Sequence, residues 1–346
     1  MTAVESNTPV GLNMAQSAAA IRAGLSGFVE FPFYMPITRE FDTGEDPIQV
    51  GSHGLIGGFG TDRLFDLVFG PITTVVQESG LPRTEMSMGA VYFALPAEDE
   101  VIQRHKLRRN FLKQAANRLA LPETGEFLGV QTGSTGVFIL IERAMEKMRL
   151  GELKFCIIAA VDSYLLEGRL ELYDKNWRLK TGRNPEGFIP GEAGAVILLE
   201  TEEYARQRQA PILMKLGGVS GGHEPNPVTG AKTSTGGGFT TAIQSLAELQ
   251  EDTRCWRWIM SDLNGERYKA QEWGVIVPRL NQYISESHQL SHMADSIGDA
   301  GSALAAVQIG CIAQAFERDY APCGSALLLA GNDLGKRYAM TVSRLV

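Results

Sequence analysis

Apolar side chains recur every three to four positions in several stretches of the chain, and this spacing is typical of amphipathic helices. It predicts helices at residues 11–26, 61–80, 99–119, 134–149, 239–250, 271–286 and 297–317. Continuous apolar runs of strand length lie between them and predict buried strands at residues 85–95, 155–161, 194–200, 212–220, 325–330 and 338–345. Because helix and strand signals alternate, the pattern favours an α/β fold with mostly parallel, buried strands.

One arrangement of these elements occurs twice along the chain. A helix that begins with Gly, Ser and Ala residues runs into an apolar strand at residues 133–161, and the same order returns at 298–330. This weak internal repeat indicates one pseudo-symmetric unit rather than two unrelated domains. The polar stretch around residues 201–210 is the predicted join, which gives an N-terminal half at 1–205 and a C-terminal half at 206–346.

The composition narrows the class of protein. A hydrophobic fraction of 44% and a charged fraction of 21% are ordinary for a folded globular chain. The formal charge of −8 argues against a general nucleic-acid or anionic-membrane binder, since both need basic surfaces. No apolar run approaches the ~20 residues that span a bilayer, and the first residues lack a secretory pattern. We therefore expect a cytoplasmic protein.

The cysteines and the glycine-rich residues complete this first picture. The cysteines are scattered without CxxC spacing, so we expect small buried hydrophobic residues rather than a zinc site or disulfides at Cys156, Cys255, Cys311 and Cys323. No cofactor and no metal are predicted. Residues 217–241 are rich in Gly, Ser and Thr, and we expect them to form a mobile loop near the mouth of a site.

Two short segments carry the most distinctive local patterns. In QTGSTGVFIL, residues 131–140, two glycines and two small hydroxyl residues stand directly before an apolar-periodic helix. Such a helix start either packs very close to another backbone or faces a ligand. In GFIPGEAGAVILLE, residues 187–200, three glycines and a proline bracket Glu192 just before a buried strand. This loop lets the backbone approach a neighbouring helix end and holds a carboxylate at the rim of the sheet.

These segments resemble the β-ketoacyl synthases, which are members of the thiolase superfamily. Residues 131–150 and the strand after them look like the nucleophile helix and strand of that family, and residues 187–200 are similar to its Gly-Phe-Val-Pro-Gly-Glu-Gly-Ala-Gly loop. Residues 261–274 stand where the family has His-Gly-Thr-Gly-Thr, and residues 296–310 where it has Ile-Gly-His and a small-residue helix. The resemblance implies two pseudo-repeated βαβαβαββ-type halves in a layered α/β/α/β/α arrangement.

The resemblance holds for the fold more closely than for the activity. Counted back from Gly151, which matches the glycine closing the nucleophile helix, the family's catalytic cysteine corresponds to Ser134. Its two histidines correspond to Asp262 and Asp299. Residues 330–339 replace the family's Gly-Phe-Gly-Gly loop. The chain is also shorter than a typical ketosynthase and leaves little room for the usual first strand before residue 9. The candidate substrate-binding residues are Thr135, Glu192, His223 and Asn332.

The three replacements change the chemistry of the site. A cysteine thiol at a helix N-terminus can ionise, whereas a serine hydroxyl needs a neighbouring base. The family's histidines donate hydrogen bonds to a developing enolate, but carboxylates only accept them, and losing one such donor typically costs ~3 kcal/mol. Condensation is therefore not expected. Each residue also has a structural interpretation: Ser134 as a helix N-cap or first-turn residue, Asp262 as a turn residue, Asp299 as a first-turn residue complementing the helix dipole, and His223 as an exposed loop histidine.

Two hypotheses follow from the sequence. In the first, the chain is a non-condensing ketosynthase-like protein that acts as a binding or adaptor subunit. The resemblance implies a homodimer through the nucleophile-side strand, a heterodimer with an active synthase, or a bacterial secretion-system effector as partner. In the second, the chain is an acyltransferase or thioester hydrolase that uses Ser134 on acyl carrier protein or coenzyme A thioesters, with Asp262, Asp299 or His223 as the base. Glu192 is expected to be structural in either case.

Overall fold

The computed structural model describes residues 1–34, 36, 47–54, 57–58, 60–119, 125–249 and 256–345. The strands are β1 (Ala3–Asn7), β2 (Phe28–Glu30), β3 (Gln49–Gly51), β4 (Gly89–Ala94), β5 (Glu126–Val130), β6 (Phe155–Ser163), β7 (Glu192–Glu200), β8 (Lys215–His223), β9 (Trp256–Met260), β10 (Ile284–Ser291), β11 (Ser325–Gly331) and β12 (Lys336–Ser343). The helices are α1 (Met14–Arg22), α2 (Gly60–Glu78), α3 (Glu100–Arg104), α4 (Leu107–Leu119), α5 (Gly136–Arg149), α6 (Arg169–Lys175), α7 (Glu202–Gln207), α8 (Gly237–Glu248), α9 (Arg267–Arg279), α10 (Ala294–Ile297) and α11 (Leu304–Glu317).

Two five-stranded sheets form the framework, and each comes from one part of the chain. Their strand orders are β1-β7-β6-β4-β5 and β10-β9-β11-β12-β8, and β2 pairs separately with β3. In each large sheet two pairings are parallel and two are antiparallel. The expectation of mostly parallel strands is therefore wrong. An apolar run shows that both faces of a strand are covered, but it carries no information about the direction of its neighbour.

The two sheets enclose a shared core, and each also carries helices on its outer face. α5 and α11 lie between the sheets and contact strands of both, and the largest buried cluster combines their side chains with the inner faces of both sheets. α2 and α4 cover the outer face of the first sheet, and α8 and α9 cover that of the second. This is the predicted α/β/α/β/α layering.

Glycine-led turns place the ends of α5 and α11 against each other. A 3-10 turn at Gly133–Thr135 leads into α5, and another at Gly301–Ala303 leads into α11. The glycine that opens each turn has a positive φ, +61° at Gly133 and +50° at Gly301, which favours glycine over any other residue. The two turns contact each other. The glycines noted in the sequence thus serve close backbone packing, which was one of the two expected explanations.

The predicted long helices and apolar strands are present, with several differences. A first strand does form before residue 9: β1 pairs with β7 along the edge of the first sheet, so the expectation of little room for it is wrong. The helix predicted at 99–119 is two helices, because Lys106 adopts a φ of +46° between α3 and α4. The helix predicted at 271–286 is α9, which ends at Arg279 and is followed by β10.

The glycine-rich stretch 217–241 is also different from its prediction. It forms most of β8, a loop, and the start of α8, and is not one mobile loop. Its glycines allow strand and helix to touch, since a Cβ added at Gly222 would overlap the carbonyl oxygen of Gly238. No described helix combines the length and apolarity that a bilayer crossing requires. Cys156 and Cys311 are buried and free as predicted, Cys323 is free but half-buried, and Cys255 lies outside the described residues.

Candidate functional site

Ser134 lies in the turn before α5, with its hydroxyl directed at the other half of the chain. Its Oγ donates a hydrogen bond to the carbonyl oxygen of Gly331, the last residue of β11, at 2.7 Å. It does not cap α5, whose N-cap position is Thr135, and no side chain caps that end. A backbone carbonyl accepts a hydrogen bond but cannot take the proton away. This contact therefore holds Ser134 in place and does not supply the base that a serine nucleophile needs.

The residue that corresponds to Ser134 in the other half makes the same kind of bond. Ser302 follows Gly301 as Ser134 follows Gly133, and its Oγ donates to the carbonyl oxygen of Val161 at 2.8 Å. Val161 lies near the end of β6, the central strand of the first sheet, as Gly331 ends the central strand of the second. Each serine thus ties its helix start to the opposite sheet. The internal repeat predicted from the sequence extends to this hydrogen bond.

Asp262 lies two residues after the end of β9 and also contacts Gly331. Its Oδ2 accepts a hydrogen bond from the Gly331 backbone N–H at 2.9 Å, and the residue is only 5% exposed. The structure therefore brings Ser134 and Asp262 to the same residue, Ser134 at the carbonyl of Gly331 and Asp262 at its N–H. The side chain of Asp262 bonds to a residue distant in sequence and does not stabilise its own turn.

Asp299 precedes the turn that leads into α11, and its two oxygens have different partners. Oδ1 accepts from the backbone N–H of Gly301 at 2.8 Å, which is the predicted first-turn role. Oδ2 accepts from the Asn264 amide Nδ2 at 2.6 Å. The backbone of Asp299 exchanges hydrogen bonds with the glycine loop at Ile189 and Gly191. The loop therefore does approach a helix end, as expected from its glycines.

Lys269 was not recognised in the sequence, yet it connects the two aspartates. Its Nζ lies 3.2 Å from Asp262 Oδ2 and 3.9 Å from Asp299 Oδ2, and it donates to the Asp262 carbonyl at 3.0 Å. Burial acts to lower the pKa of Lys269, but attraction to Asp262 and Asp299 outweighs it, so the pKa is raised and the ammonium stays charged. The sequence predicted only hydrogen-bond acceptors, the two aspartates, at this site. That prediction is incomplete, because the Lys269 ammonium lies between the two carboxylates.

A second ion cluster continues from this site and joins the two halves. Asn264 donates to Glu266 at 3.0 Å, and Glu266 in turn accepts from Arg178 at 2.7 Å. Arg178 also donates to Asp333 at 2.5 Å. Burial acts to raise the pKa of Asp333, but the Arg178 guanidinium lowers it overall. Arg178 follows α6 in the first half, whereas both of its carboxylate partners belong to the second.

Two of the predicted substrate-binding residues lie beside Ser134. The Asn332 amide donates weakly to the Thr132 carbonyl at 3.3 Å and to Thr135 Oγ1 at 3.4 Å, and its Oδ1 accepts from the backbone of Lys336 at 2.9 Å. Thr135 Oγ1 donates to the Thr132 carbonyl at 3.0 Å. The hydroxyl of Thr132 is buried without a hydrogen-bond partner. Asn332 and Thr135 are therefore placed near the site, but their polar atoms already contact protein.

The other two predicted substrate-binding residues, Glu192 and His223, have contacts that do not involve Ser134. Glu192 is fully buried, and its carboxylate accepts from Arg63 at 2.5 Å and 2.7 Å, from the His53 backbone at 2.9 Å, and from Ser163 at 2.9 Å. These contacts do not favour a role toward substrate. His223 is exposed at the end of β8. The substrate-binding role of both residues stays a prediction.

The space beside the ion cluster is small. A cavity of about 10 Å³ is bordered by Asp262, Lys269, Trp273 and Leu329. This is about the room that one water molecule needs, and it is too small for an acyl chain. In the described ranges no group of three or more His, Cys, Asp or Glu is placed to hold a metal ion.

The layered architecture with two helices between mixed five-stranded sheets is that of the thiolase-like ketosynthases. No protein-family model and no curated protein matches the chain, but solved structures do. A ketosynthase described as "AntDE:AntF (apo): type II PKS acyl-carrier protein in complex with its ketosynthase bound to the hexaketide" is similar with a TM-score of 0.80 and 13% identity, covering 100% of this chain and 98% of that one.

Two further ketosynthase structures have the same fold. The ketosynthase from module 6 of the bacillaene synthase of Bacillus subtilis 168 has a TM-score of 0.80 and 10% identity, with 100% of this chain and 71% of that chain covered. The ishigamide ketosynthase/chain length factor has a TM-score of 0.74 and 16% identity, with 100% and 98% covered. The predicted fold is thus confirmed. At these identities the likeness concerns the fold alone.

Proposed function

We propose that this chain is a ketosynthase-like protein that does not condense acyl groups and acts as a binding or adaptor subunit. The observation that carries the proposal is the hydrogen bond of Ser134 to the Gly331 carbonyl. Ser302 makes the matching bond in the other half. Because the same contact occurs in both halves, a structural role is enough to explain the serine at position 134. No catalytic role is needed.

The charges around Ser134 support this proposal. Condensation needs donors that face a developing enolate, and each missing donor typically costs ~3 kcal/mol. Lys269 supplies one cation, but Asp262 and Asp299 place two carboxylates next to it. The group of three therefore has a net charge of −1 while Lys269 is protonated, which disfavours the anion that condensation forms.

The proposed partner is a related synthase, an acyl carrier protein or a second copy of the chain. In support, the fold neighbours include a ketosynthase in complex with an acyl carrier protein and a ketosynthase/chain length factor. β5 is an edge strand of the described first sheet and ends four residues before Ser134. A partner strand can pair with an edge of this kind. The same proposal includes three further points: a bacterial secretion-system effector as an alternative partner, a boundary between the two halves near residue 205, and a cytoplasmic location.

The test separates binding from catalysis through Ser134. We would incubate the purified protein with acyl carrier protein and coenzyme A thioesters and measure its intact mass. We expect no acyl adduct on the wild type, on Ser134→Ala or on the matched control Ser302→Ala. An adduct that disappears in Ser134→Ala but persists in Ser302→Ala would support the acyltransferase or hydrolase hypothesis and overturn ours.

A second measurement addresses the partner. Native mass spectrometry of the protein alone and mixed with an active synthase should show a stoichiometric dimer or heterodimer. Product analysis of the protein alone with malonyl and acyl thioesters should show no new carbon–carbon bond. Detection of a condensed product under these conditions would contradict the proposal directly.

A further inference from the structure

One segment of the chain has a charge opposite to that of the rest. Residues 104–118 contain six Lys and Arg residues, and no Asp or Glu occurs from residue 101 to 122. The whole chain has a formal charge of −8, so the remainder without these six has −14. A local positive field on an otherwise acidic protein is a feature that selects and orients a charged partner.

The structure places much of this charge on the outer face of α4. Leu107, Phe111 and Ala115 are buried against the first sheet, so the opposite side of the helix is exposed. That side carries Arg109 and Lys113, one turn apart. Arg108 is exposed beside them.

None of these three cations is neutralised within the part of the chain that the structure describes. Arg108, Arg109 and Lys113 make neither a side-chain hydrogen bond nor an ion pair there. Two other cations of the segment do have partners: Arg104 pairs with Glu100 one turn away, and Arg118 lies 3.9 Å from Asp66 and stacks on Phe65. Lys106 is exposed between α3 and α4, outside the face that Arg108, Arg109 and Lys113 form. We call Arg108, Arg109 and Lys113 the basic face.

A polar cleft adjoins the basic face. It lies between the first turn of α2 and α4, has a volume of about 350 Å³, and is lined by Thr61, Asp62, Asn110, Lys113, Gln114 and Asn117. Gln114 donates to Asp62 through its amide nitrogen, while its amide oxygen is buried and has no hydrogen-bond partner. A buried acceptor without a donor is uncommon, and it can accept from a bound segment once the Gln114 side chain turns into the cleft.

We propose that the basic face and the adjoining cleft form a docking surface for an acidic helix of a partner protein. This inference rests on the proposed binding function and adds the place and the chemistry of recognition. Arg109 and Lys113 stand one helical turn apart, which matches carboxylates at the same spacing on a facing helix. The amide side chains of the cleft then hydrogen-bond the polar edge of that helix.

The size of the surface favours a protein over a nucleic acid. α4 has 13 residues, so it is about 20 Å long at 1.5 Å per residue. A phosphate chain longer than this would run onto a surface whose remaining formal charge is −14, and repulsion would offset the gain. A short acidic helix fits the patch without leaving it.

The experiment uses the full chain and a labelled, capped 18-residue helical peptide with Glu residues one turn apart on one face. Its counterpart has Gln at the same positions, and a single-stranded oligonucleotide of equal charge is the third probe. Fluorescence anisotropy at 20 mM salt should show binding of the Glu peptide at least about tenfold tighter than of the other two probes. Binding should weaken as salt is raised to 150 mM.

Matched charge reversals locate the binding. Arg109→Glu with Lys113→Glu should weaken Glu-peptide binding by at least about tenfold. The control, Lys180→Glu with Lys232→Glu, changes the net charge equally at exposed sites elsewhere and should stay within about twofold of the wild type. All four side chains are exposed, and circular dichroism with thermal melting confirms that each variant folds.

Several outcomes would overturn the docking surface. They are equal weakening by the two reversals, tighter binding of the oligonucleotide than of the Glu peptide, or no Glu-peptide binding to the wild type. If the Arg109 and Lys113 reversal leaves a stoichiometric synthase complex intact, the docking surface is refuted while the proposed function stands. If no acyl adduct is found but no partner binds either, the proposed function fails independently of this surface.

Discussion

Replacing Lys269 by methionine tests whether the ion cluster at the site is a structural lock. The change keeps most of the side-chain stem and removes the ammonium that lies 3.2 Å from Asp262 and 3.9 Å from Asp299. Both carboxylates are then buried without their cation. Breaking a buried ion pair by removing one partner typically destabilises by about 3–5 kcal/mol, because the remaining charge is uncompensated. We expect a loss in that range at pH 7.

The pH dependence of this loss follows from the direction of the lysine shift. The pKa of Lys269 is raised in the folded protein, so its stabilisation is complete below the unfolded value of about 10.4 and is lost only as pH rises through the folded value. The wild-type contribution is therefore constant from pH 5 to 8. Lys269→Met should therefore show a loss that stays nearly constant over the same pH range.

Urea unfolding followed by circular dichroism measures both effects, since the midpoint reports stability when the slope is unchanged. Lys232→Met is the control, because Lys232 is exposed and its change should be too small to measure. The double variant Lys269→Met with Asp262→Asn should recover part of the loss, which would show coupling of the pair. A loss below about 1 kcal/mol for Lys269→Met at pH 7 would refute the lock.

Three further predictions concern other parts of the molecule. Gly194→Ala should lower the melting temperature strongly or prevent folding, because its Cβ would overlap a backbone carbonyl of α2; a melt like that of the wild type would contradict this close packing. Arg178→Met should reduce the loss of stability that urea unfolding shows at acid pH. The lowered pKa of Asp333 gives the wild type stability that is present above the unfolded pKa and is lost as pH falls through the folded pKa. An unchanged pH profile of the variant would argue against this role of Arg178. Iodoacetamide with peptide mapping should label Cys323 well before Cys311 in the native protein, because burial raises the pKa of Cys311 to about 12; equal labelling would contradict the packing of α11.

Long elements with buried faces were predictable from the sequence, whereas short and edge elements were not. α2 and β6 have strong apolar patterns because they are covered by the core. The edge strands β5 and β10 were not predicted. β10 is only partly buried and its residues form no apolar run, whereas β5 has just 5 residues, of which four are apolar or glycine. α6 has 7 residues, which is too short for periodicity to be recognised. These elements form because of tertiary neighbours that a local pattern does not contain.

The candidate site was predictable in its positions and not in its contacts. Comparison with family motifs gave Ser134, Asp262 and Asp299. The structure places Ser134 and Asp262 at the end of the central strand β11, and Lys269 links Asp262 to Asp299. Lys269 was missed because the predicted helix began at residue 271, after it, so its register on the first turn of α9 was not considered. The acceptor for Ser134 is 197 residues away, and no local sequence signal specifies such a partner.

Ser134, Asp262 and Asp299 all make contacts that hold the fold together. Ser134 donates to the carbonyl of Gly331, and Asp262 accepts from the N–H of the same residue. Asp299 orders the turn that starts α11. Condensation requires a mobile proton and exposed donors at these places, whereas a rigid subunit requires filled hydrogen bonds. The two demands compete for the same atoms, and the contacts of these three side chains support the second, as the proposed function requires.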